Sequence, residues 1–294
     1  MTSKGVIAVD LYARSDPVEI GGFQWSVDGL DIDDGWAIDC QLAKDERRTL
    51  LWNCLFLADF CLDSPDGRKE AVYMIGSGLF DQNRTVVCLH WDEPTFHRAH
   101  DVCESKDISD FKGRINISIV ESRIVDLADP KNALIEDPED AMKIKVEGEE
   151  LYVSKKVLCF HSKFFDVLFN QDFKEKAENS FELADVKLEE FTHFLGVVYG
   201  LGDSVDENSV EYLLKLGDFY QAKIVLSRCE EYLRTADVEE VPLIEKFRLA
   251  NEFGLKQLLM TTVQEISIKE LKTFPRAKLS EFAKELVVIK GAMC

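Results

Sequence analysis

Residues 140–169, DAMKIKVEGEELYVSKKVLCFHSKFFDVLF, change from a strand pattern to a helix pattern within thirty positions. Apolar Met142, Ile144 and Val146 alternate with polar residues as far as Gly148, and a second alternating segment follows. Alternation of this kind places apolar side chains on one face of a strand, and glycine suits the reversal between two strands. The stretch therefore predicts a β-hairpin that turns at Gly148.

Two serines precede the helical part of the same stretch. Ser154 stands before KKVLCF and Ser162 stands before KFFDVLF. A serine side chain at the start of a helix can accept a hydrogen bond from an amide that has no partner within the helix. We therefore predict that Ser154 and Ser162 each cap a helix.

Downstream of residue 170 the sequence predicts first a strand and then a series of helices. NSFELADV predicts a short strand, and residues 188–200 repeat apolar side chains at spacings of three and four before Gly200. A helix pair is predicted around Ala222, another helix runs from Pro242 to Gly254, and further helices follow. This half is predicted to be an α+β domain with a helical extension.

The first half of the chain has a different pattern. Between residues 18 and 122 the segments FQWSV, LLWNCLFLADFCLDS, TVVCLHW and RINISIV are short, rich in β-branched or aromatic residues, and separated by Gly, Asp and Pro. This pattern is typical of an antiparallel β-sandwich, whose core would include the tryptophans. An acidic segment with two Pro residues, 125–139, is predicted to link the two halves.

The composition of the chain limits the classes of function that we expect for it. The chain has 294 residues, enough for two domains, 46% hydrophobic residues and a net charge of −20. Binding to nucleic acid requires a basic surplus to neutralise phosphates, so a nucleic-acid partner is not expected. The first residues do not form a signal-peptide pattern and no segment is apolar enough to span a membrane. Eight irregularly spaced cysteines are typical of reduced thiols. We expect a cytoplasmic or nuclear protein.

The order of motifs in the second half resembles the BTB/POZ family. The Asp before the hairpin, K-x-V-L, S-x-F-F-x-x-L-F, F-K-E, L-x-D-V, the helix ending in Val-Tyr-Gly and the later CEEYL occur in the order found in that family. Residues 140–236 are thus identified as a BTB/POZ domain. Residues 237–294 resemble the helical extension, called the 3-box and the start of the BACK region, that follows BTB domains of cullin adaptors, in the form seen in nematode proteins.

The first half is similar to a MATH (TRAF-like) domain at its two ends. IGGFQWSV at 20–27 resembles the opening strand of such domains, and FKGRINISIV at 111–120 resembles the closing strand. The middle matches poorly, so no substrate-binding residue is carried over from that family. We expect residues 1–124 to form a divergent MATH-like sandwich.

The BTB resemblance implies two sets of site residues. Phe173, Lys174 and Glu175 match a hydrophobic-x-Glu motif with which the family docks on cullin-3, and Asp140 and Lys155 match an acid–base pair near the family's dimer interface. The implied protein is a non-catalytic substrate adaptor of a cullin-3 RING ubiquitin ligase, homodimeric, without a cofactor, with an unidentified protein substrate. Ser154 replaces a histidine common in the family.

Alternatives remain at the level of sequence. Phe173 could fold onto its own domain beside a solvated Glu175, and the BTB domain could be a dimeric scaffold for transcription or assembly without a ubiquitin role. One cluster could instead bind zinc: His90, His97, His100 and Cys103. The paired ligand knuckles of structural zinc sites are missing, and no nucleophile motif accompanies these residues, so we expect neither a metal site nor an enzyme.

Overall fold

The structure is a computed structural model that describes residues 3–10, 13–29, 36–43, 47–63, 73–89, 112–170, 180–202 and 204–293. Contacts divide the chain into one unit of residues 1–126 and another of residues 127–294. The predicted linker, 125–139, spans this division, and most of it belongs to the second unit.

The first unit consists of two antiparallel four-stranded sheets. Its strands are β1 (Lys4–Asp10), β2 (Val18–Ile20), β3 (Phe23–Gly29), β4 (Trp36–Leu42), β5 (Leu50–Asp63), β6 (Tyr73–Asp81), β7 (Val86–Leu89) and β8 (Lys112–Asp126). One sheet has the order β1-β8-β5-β6 and the other has the order β2-β3-β4-β7. The predicted sandwich-like architecture is thereby confirmed.

Aromatic side chains from both sheets meet in the core of the first unit. The ring centroid of Trp25 on β3 lies 5.5 Å from that of Phe56 on β5 and 5.5 Å from that of Phe80 on β6. Trp52 is also buried in this core. The prediction that tryptophans fill the sandwich is confirmed for Trp25 and Trp52, whereas the side chains of Trp36 and Trp91 lie outside the described residues.

The predicted hairpin is present in the second unit. Strands β9 (Ala141–Val146) and β10 (Glu149–Ser154) pair antiparallel, and β11 (Ser180–Leu183) pairs parallel to β9. The turn residues Glu147 and Gly148 have φ values of 49° and 87°. Left-handed backbone at two successive positions gives the turn a twist that matches the two strands, and glycine adopts it without cost.

Most of the remaining described residues of the second unit form helices. They are α1 (Lys155–His161), α2 (Lys163–Asn170), α3 (Leu188–Tyr199), α4 (Val210–Phe219), α5 (Lys223–Thr235), α6 (Leu243–Glu252), α7 (Lys256–Glu265), α8 (Ile268–Leu271) and α9 (Glu281–Met293). The predicted apolar face of α3 is buried. Gly200, with φ of 64°, ends that helix in the left-handed conformation, as predicted.

The predicted linker makes specific contacts within the second unit. The backbone N–H of Tyr152 donates to the carbonyl of Leu127 at 2.7 Å, and the amide nitrogen of the buried Asn132 donates to the carbonyl of Tyr152 at 2.9 Å. Tyr152 lies on β10, which is an edge strand of its sheet. Residues 127–132 thus satisfy backbone groups that the edge of the sheet leaves unpaired.

Candidate protein-interaction surface

The carboxylate of Asp140 lies at the start of α1. Its Oδ1 accepts a hydrogen bond from the backbone N–H of Lys156 (2.9 Å), and its Oδ2 accepts one from the hydroxyl of Ser154 (2.5 Å). The same hydroxyl oxygen accepts a bond from the backbone N–H of Val157 at 3.2 Å, so Ser154 caps α1 as predicted. A negative charge at this end of a helix is favourable, because the free amides there carry partial positive charge.

Lys155 contacts a backbone group within the chain. Its ammonium group donates to the backbone carbonyl of Glu139 at 3.1 Å. In the part of the chain that the structure describes, no ion pair joins Lys155 to Asp140, although Asp140 is buried. Within one chain, therefore, Asp140 is stabilised by a hydroxyl and an amide. The participation of both residues in a dimer interface stays a prediction.

An exposed apolar surface lies on α1, α2 and the α4–α5 corner. Phe160 is 84% exposed, Phe219 is 64% exposed and Val167 is 40% exposed. A groove of about 380 Å³ is lined by Lys163, Phe164, Val167, Leu168 and Gln221, and Phe219 borders it through its contact with Phe164. Aromatic side chains at this exposure are unusual for a surface that contacts only water, and such patches mark protein-binding sites. We call the residues that line or border the groove, Lys163, Phe164, Val167, Leu168, Phe219 and Gln221, the aromatic surface.

Packing beneath the aromatic surface holds α2 against the α4–α5 corner. The buried ring of Phe165 stacks on Tyr220, with centroids 5.0 Å apart, while the neighbouring ring of Phe164 lies 5.6 Å from that of Phe219. The hydroxyl of Ser162 donates to the carbonyl of Tyr220 at 2.5 Å. Burial raises the pKa of the Tyr220 phenol to about 12, so this ring is neutral at physiological pH.

Ser162 also confirms the second predicted helix cap. Its hydroxyl oxygen accepts a hydrogen bond from the backbone N–H of Phe165 at 3.2 Å, at the start of α2. One hydroxyl thus caps α2 and binds the α4–α5 corner at the same time. The position of the groove depends on this double contact, because the groove lies between those two elements.

Gln221, which lines the groove, has an unusual backbone conformation. Its φ is 50°, in the left-handed region that residues other than glycine seldom adopt. It lies in the short connection between α4 and α5, where its backbone N–H donates to the carbonyl of Asp218 at 3.1 Å. The tight corner therefore requires this conformation. The corner in turn determines the position of the side of the groove that Gln221 lines.

The residues predicted to contact cullin-3 lie outside the described residues. Phe173, Lys174 and Glu175 belong to the interval 171–179, between the end of α2 at Asn170 and the start of β11 at Ser180. Their role stays a prediction.

The exposed Phe160 and Phe219, and Phe164, which lines the groove, were not predicted as site residues from the sequence. The doubled aromatics Phe164-Phe165 and Phe219-Tyr220 were the available signal. Adjacent side chains point in different directions from a helix, so one narrow buried face cannot take both of them.

The metal and membrane predictions concern other parts of the chain. His90, His97, His100 and Cys103 all lie outside the described residues. Among the residues that are described, no group of His, Cys, Asp or Glu side chains is arranged to hold a metal ion. None of the described helices is both long and apolar enough to cross a lipid bilayer.

Comparison with known proteins identifies one domain of the chain. The family model of the BTB/POZ domain matches residues 140–237. This chain contains a BTB/POZ domain. The match begins at the buried Asp140 and covers the aromatic surface, so that surface belongs to the BTB/POZ domain.

Relatives extend the likeness beyond the BTB/POZ domain. BTB and MATH domain-containing protein 38 of Caenorhabditis elegans is 28% identical over 253 residues, which are 85% of this chain and 62% of the relative. BTB and MATH domain-containing protein 36 of the same organism is 25% identical over 271 residues, 86% of this chain and 82% of the relative. The chain is therefore related to BTB and MATH domain-containing proteins over most of its length, and it spans less than two thirds of the first of them.

Another relative matches a shorter part of the chain. The Kelch repeat and BTB domain-containing protein 1 of ectromelia virus is 26% identical over 92 residues, 31% of this chain and 16% of the viral protein.

Proposed function

We propose that this chain is a non-catalytic substrate adaptor of a cullin-3 RING ubiquitin ligase. The observation that supports the proposal is the aromatic surface, whose helix α2 ends at Asn170, next to the interval that contains Phe173, Lys174 and Glu175. A partner that covered the groove would be in reach of that interval. Such a partner would bury side chains that the BTB/POZ domain leaves in water.

The chemistry of the aromatic surface suits a helix of a partner protein. Its floor is apolar, whereas Lys163 adds one positive charge at the groove. Burial of an exposed phenylalanine contributes about 1.5–3 kcal/mol, and aromatic anchors of this kind dominate the free energy of binding at interfaces. Phe173 would add a further anchor, and Glu175 would accept hydrogen bonds from the partner or hold the turn. Lys174 lies between them.

The remaining parts have roles that follow from the same proposal. The first unit would bind the substrate, and the BTB/POZ domain would form a homodimer in which Asp140 and Lys155 lie near the interface. Two substrate-binding units on one dimer raise the apparent affinity for a substrate with two binding sites. The protein would bring substrate and ligase together and carry out no reaction itself.

Binding of purified cullin-3 to the full chain tests the proposal. Val167→Glu and Phe219→Ala change exposed side chains of the aromatic surface, and Phe173→Ala and Glu175→Lys change the predicted motif. Each should weaken binding by about tenfold or more. Val288→Glu introduces the same charge as Val167→Glu at a valine of α9 that is 70% exposed, and this control should bind like the wild type.

The outcomes separate the two functions considered for the BTB/POZ domain. Wild-type affinity in all four variants would contradict the assigned binding surface. A wild-type chain that forms dimers but does not bind cullin-3 would instead favour the dimeric scaffold without a ubiquitin role. Light scattering of the same samples reports the dimer.

A further inference from the structure

A groove in the helical extension lies between α6 and the segment that connects α8 to α9. Its volume is about 530 Å³. Phe274, Pro275 and Leu279 form the apolar part of its lining, and Arg248, Glu252 and Lys278 are its charged residues. We call it the extension groove. Apolar side chains give a ligand contact area, and charged groups fix its orientation.

The side chain of Asn251 on α6 joins the two sides of the extension groove. Its Nδ2 donates to the carbonyl of Lys278 at 2.9 Å, and its Oδ1 accepts a hydrogen bond from the backbone N–H of Ser280 at 2.8 Å. The ring of Phe274 also contacts that of the buried Phe247 on α6, with centroids 5.2 Å apart. The connecting segment therefore has a defined position against α6. A groove that is already formed lowers the entropy cost of binding.

The two sides of the extension groove differ in charge. On α6, Arg248 forms ion pairs with three carboxylates, one of them that of Glu252 at 2.8 Å, so its positive charge is compensated. In the connecting segment, Arg276 and Lys278 are exposed, and neither forms an ion pair with any residue that the structure describes. Residues 272–278, KTFPRAK, carry three positive charges and no acid, in a chain whose net charge is −20. The connecting segment is thus locally basic.

We infer that the extension groove binds an acidic linear segment of a partner protein, in which aspartate or glutamate adjoins an apolar side chain. The carboxylates pair with Arg276 and Lys278, and the apolar side chain is buried against Phe274 and Leu279. Burial of apolar area supplies affinity, and opposite charges speed association and fix the direction of the bound segment. This inference goes beyond the proposed function, since it concerns a second interaction surface and a partner other than cullin-3.

A short acidic segment fits the charges of the chain better than a nucleic acid does. Residues 272–278 provide three cations, whereas tight binding of a nucleic-acid backbone requires many phosphates to be neutralised. The net charge of −20 repels the rest of a long polyanion. Because Arg248 and Glu252 neutralise each other on α6, the acids of the bound segment are attracted to the connecting segment alone.

Fluorescence anisotropy with the full chain and short labelled peptides tests the inference. The probes are mixed peptides, in which leucine or phenylalanine alternates with aspartate and glutamate. One control peptide has the same apolar residues among serines, and another contains glutamate alone. The mixed peptides should bind about tenfold more tightly than either control, and added salt should weaken their binding because it screens the charges. This assay needs no cullin-3, so its failure is distinct from a failure of the proposed function.

A pair of charge-reversal variants locates the binding site. Lys278→Glu should weaken binding of the mixed peptides by about fivefold or more, because an attraction becomes a repulsion. Lys131→Glu makes the same change at an exposed lysine outside the extension and should bind like the wild type. The inference is overturned if the mixed peptides bind no better than the controls or if the two variants bind alike. Tighter binding of a single-stranded oligonucleotide than of the mixed peptides would also overturn it.

Discussion

The hydroxyl of Ser154 donates a hydrogen bond to the carboxylate of Asp140 at 2.5 Å. The two residues are fourteen positions apart. Asp140 directly precedes β9, and Ser154 is the last residue of β10. Antiparallel pairing of Ser154 with Ala141 brings them together. Asp140, which precedes the hairpin, thereby stabilises the start of α1. The hairpin and α1 thus share this contact.

Replacement of Asp140 by Ala should destabilise the second unit even in a monomeric chain. The change leaves the Lys156 amide and the Ser154 hydroxyl without their acceptor in a buried place, which costs about 1–3 kcal/mol. The urea midpoint measured by circular dichroism reports the loss. Glu139→Ala, at an exposed neighbour, is the control. An unchanged midpoint for Asp140→Ala would show that the carboxylate does not stabilise α1.

The exposed Phe160 of α1 and the buried Phe165 of α2 should respond very differently to truncation. Phe165 is fully buried against Tyr220, so Phe165→Ala should lower the free energy of unfolding by about 3–5 kcal/mol. Phe160 is 84% exposed, and Phe160→Ala should change it by less than about 0.5 kcal/mol. Chemical denaturation of both variants measures the contrast. Similar losses would mean that Phe160 is covered in solution.

Because the backbone at Gln221 is left-handed, the stability of the α4–α5 corner should depend on whether the residue at this position is branched at Cβ. Gln221→Gly should be tolerated, whereas Gln221→Val should destabilise the corner by about 1–2 kcal/mol, because β-branched residues are disfavoured at positive φ. Urea midpoints of the two variants separate backbone strain from the loss of the amide. Equal stability of Gly and Val at this position would contradict the strained corner.

Glu211 should contribute a pH-dependent part of stability. Hydrogen bonding to Lys215, then the charges of Lys215 and Arg248, hold the pKa of this carboxyl below its ordinary value of 4.5, although the side chain is partly exposed. The contribution is therefore present above pH 4.5 and is lost as the pH falls through the lowered pKa of the folded state. Arg248 belongs to α6, so the pair joins the helical extension to the BTB/POZ domain.

Titration of that carboxyl by NMR, together with urea midpoints at neutral and acidic pH, measures the effect. Glu211→Gln should lower the midpoint at neutral pH and have little effect below the pKa that the NMR titration gives, where the wild-type carboxyl is protonated. Salt should weaken the difference, because exposed ion pairs are screened. An equal loss at both pH values would assign the effect to packing.

Local sequence signals predict much of the second unit. The hairpin at Gly148, the caps at Ser154 and Ser162 and the end of α3 at Gly200 follow from side-chain periodicity and from bonds between residues close in the chain. The sandwich of the first unit was predicted at the level of its architecture. The pairing of its strands into two sheets was not, because that pairing involves residues far apart in sequence.

Neither composition nor periodicity reveals which residues are exposed. Phe164 and Phe165 are the same residue type at adjacent positions, yet one lines a groove and the other fills the core. The difference arises because Ser162 and Tyr220 hold α2 against a corner 58 residues away. Likewise the pairing of β9 with β10, and not an ion pair with Lys155, determines the position of Asp140. Periodicity and turn residues determine local conformation through short-range bonds, whereas burial and partners depend on which distant elements pack together.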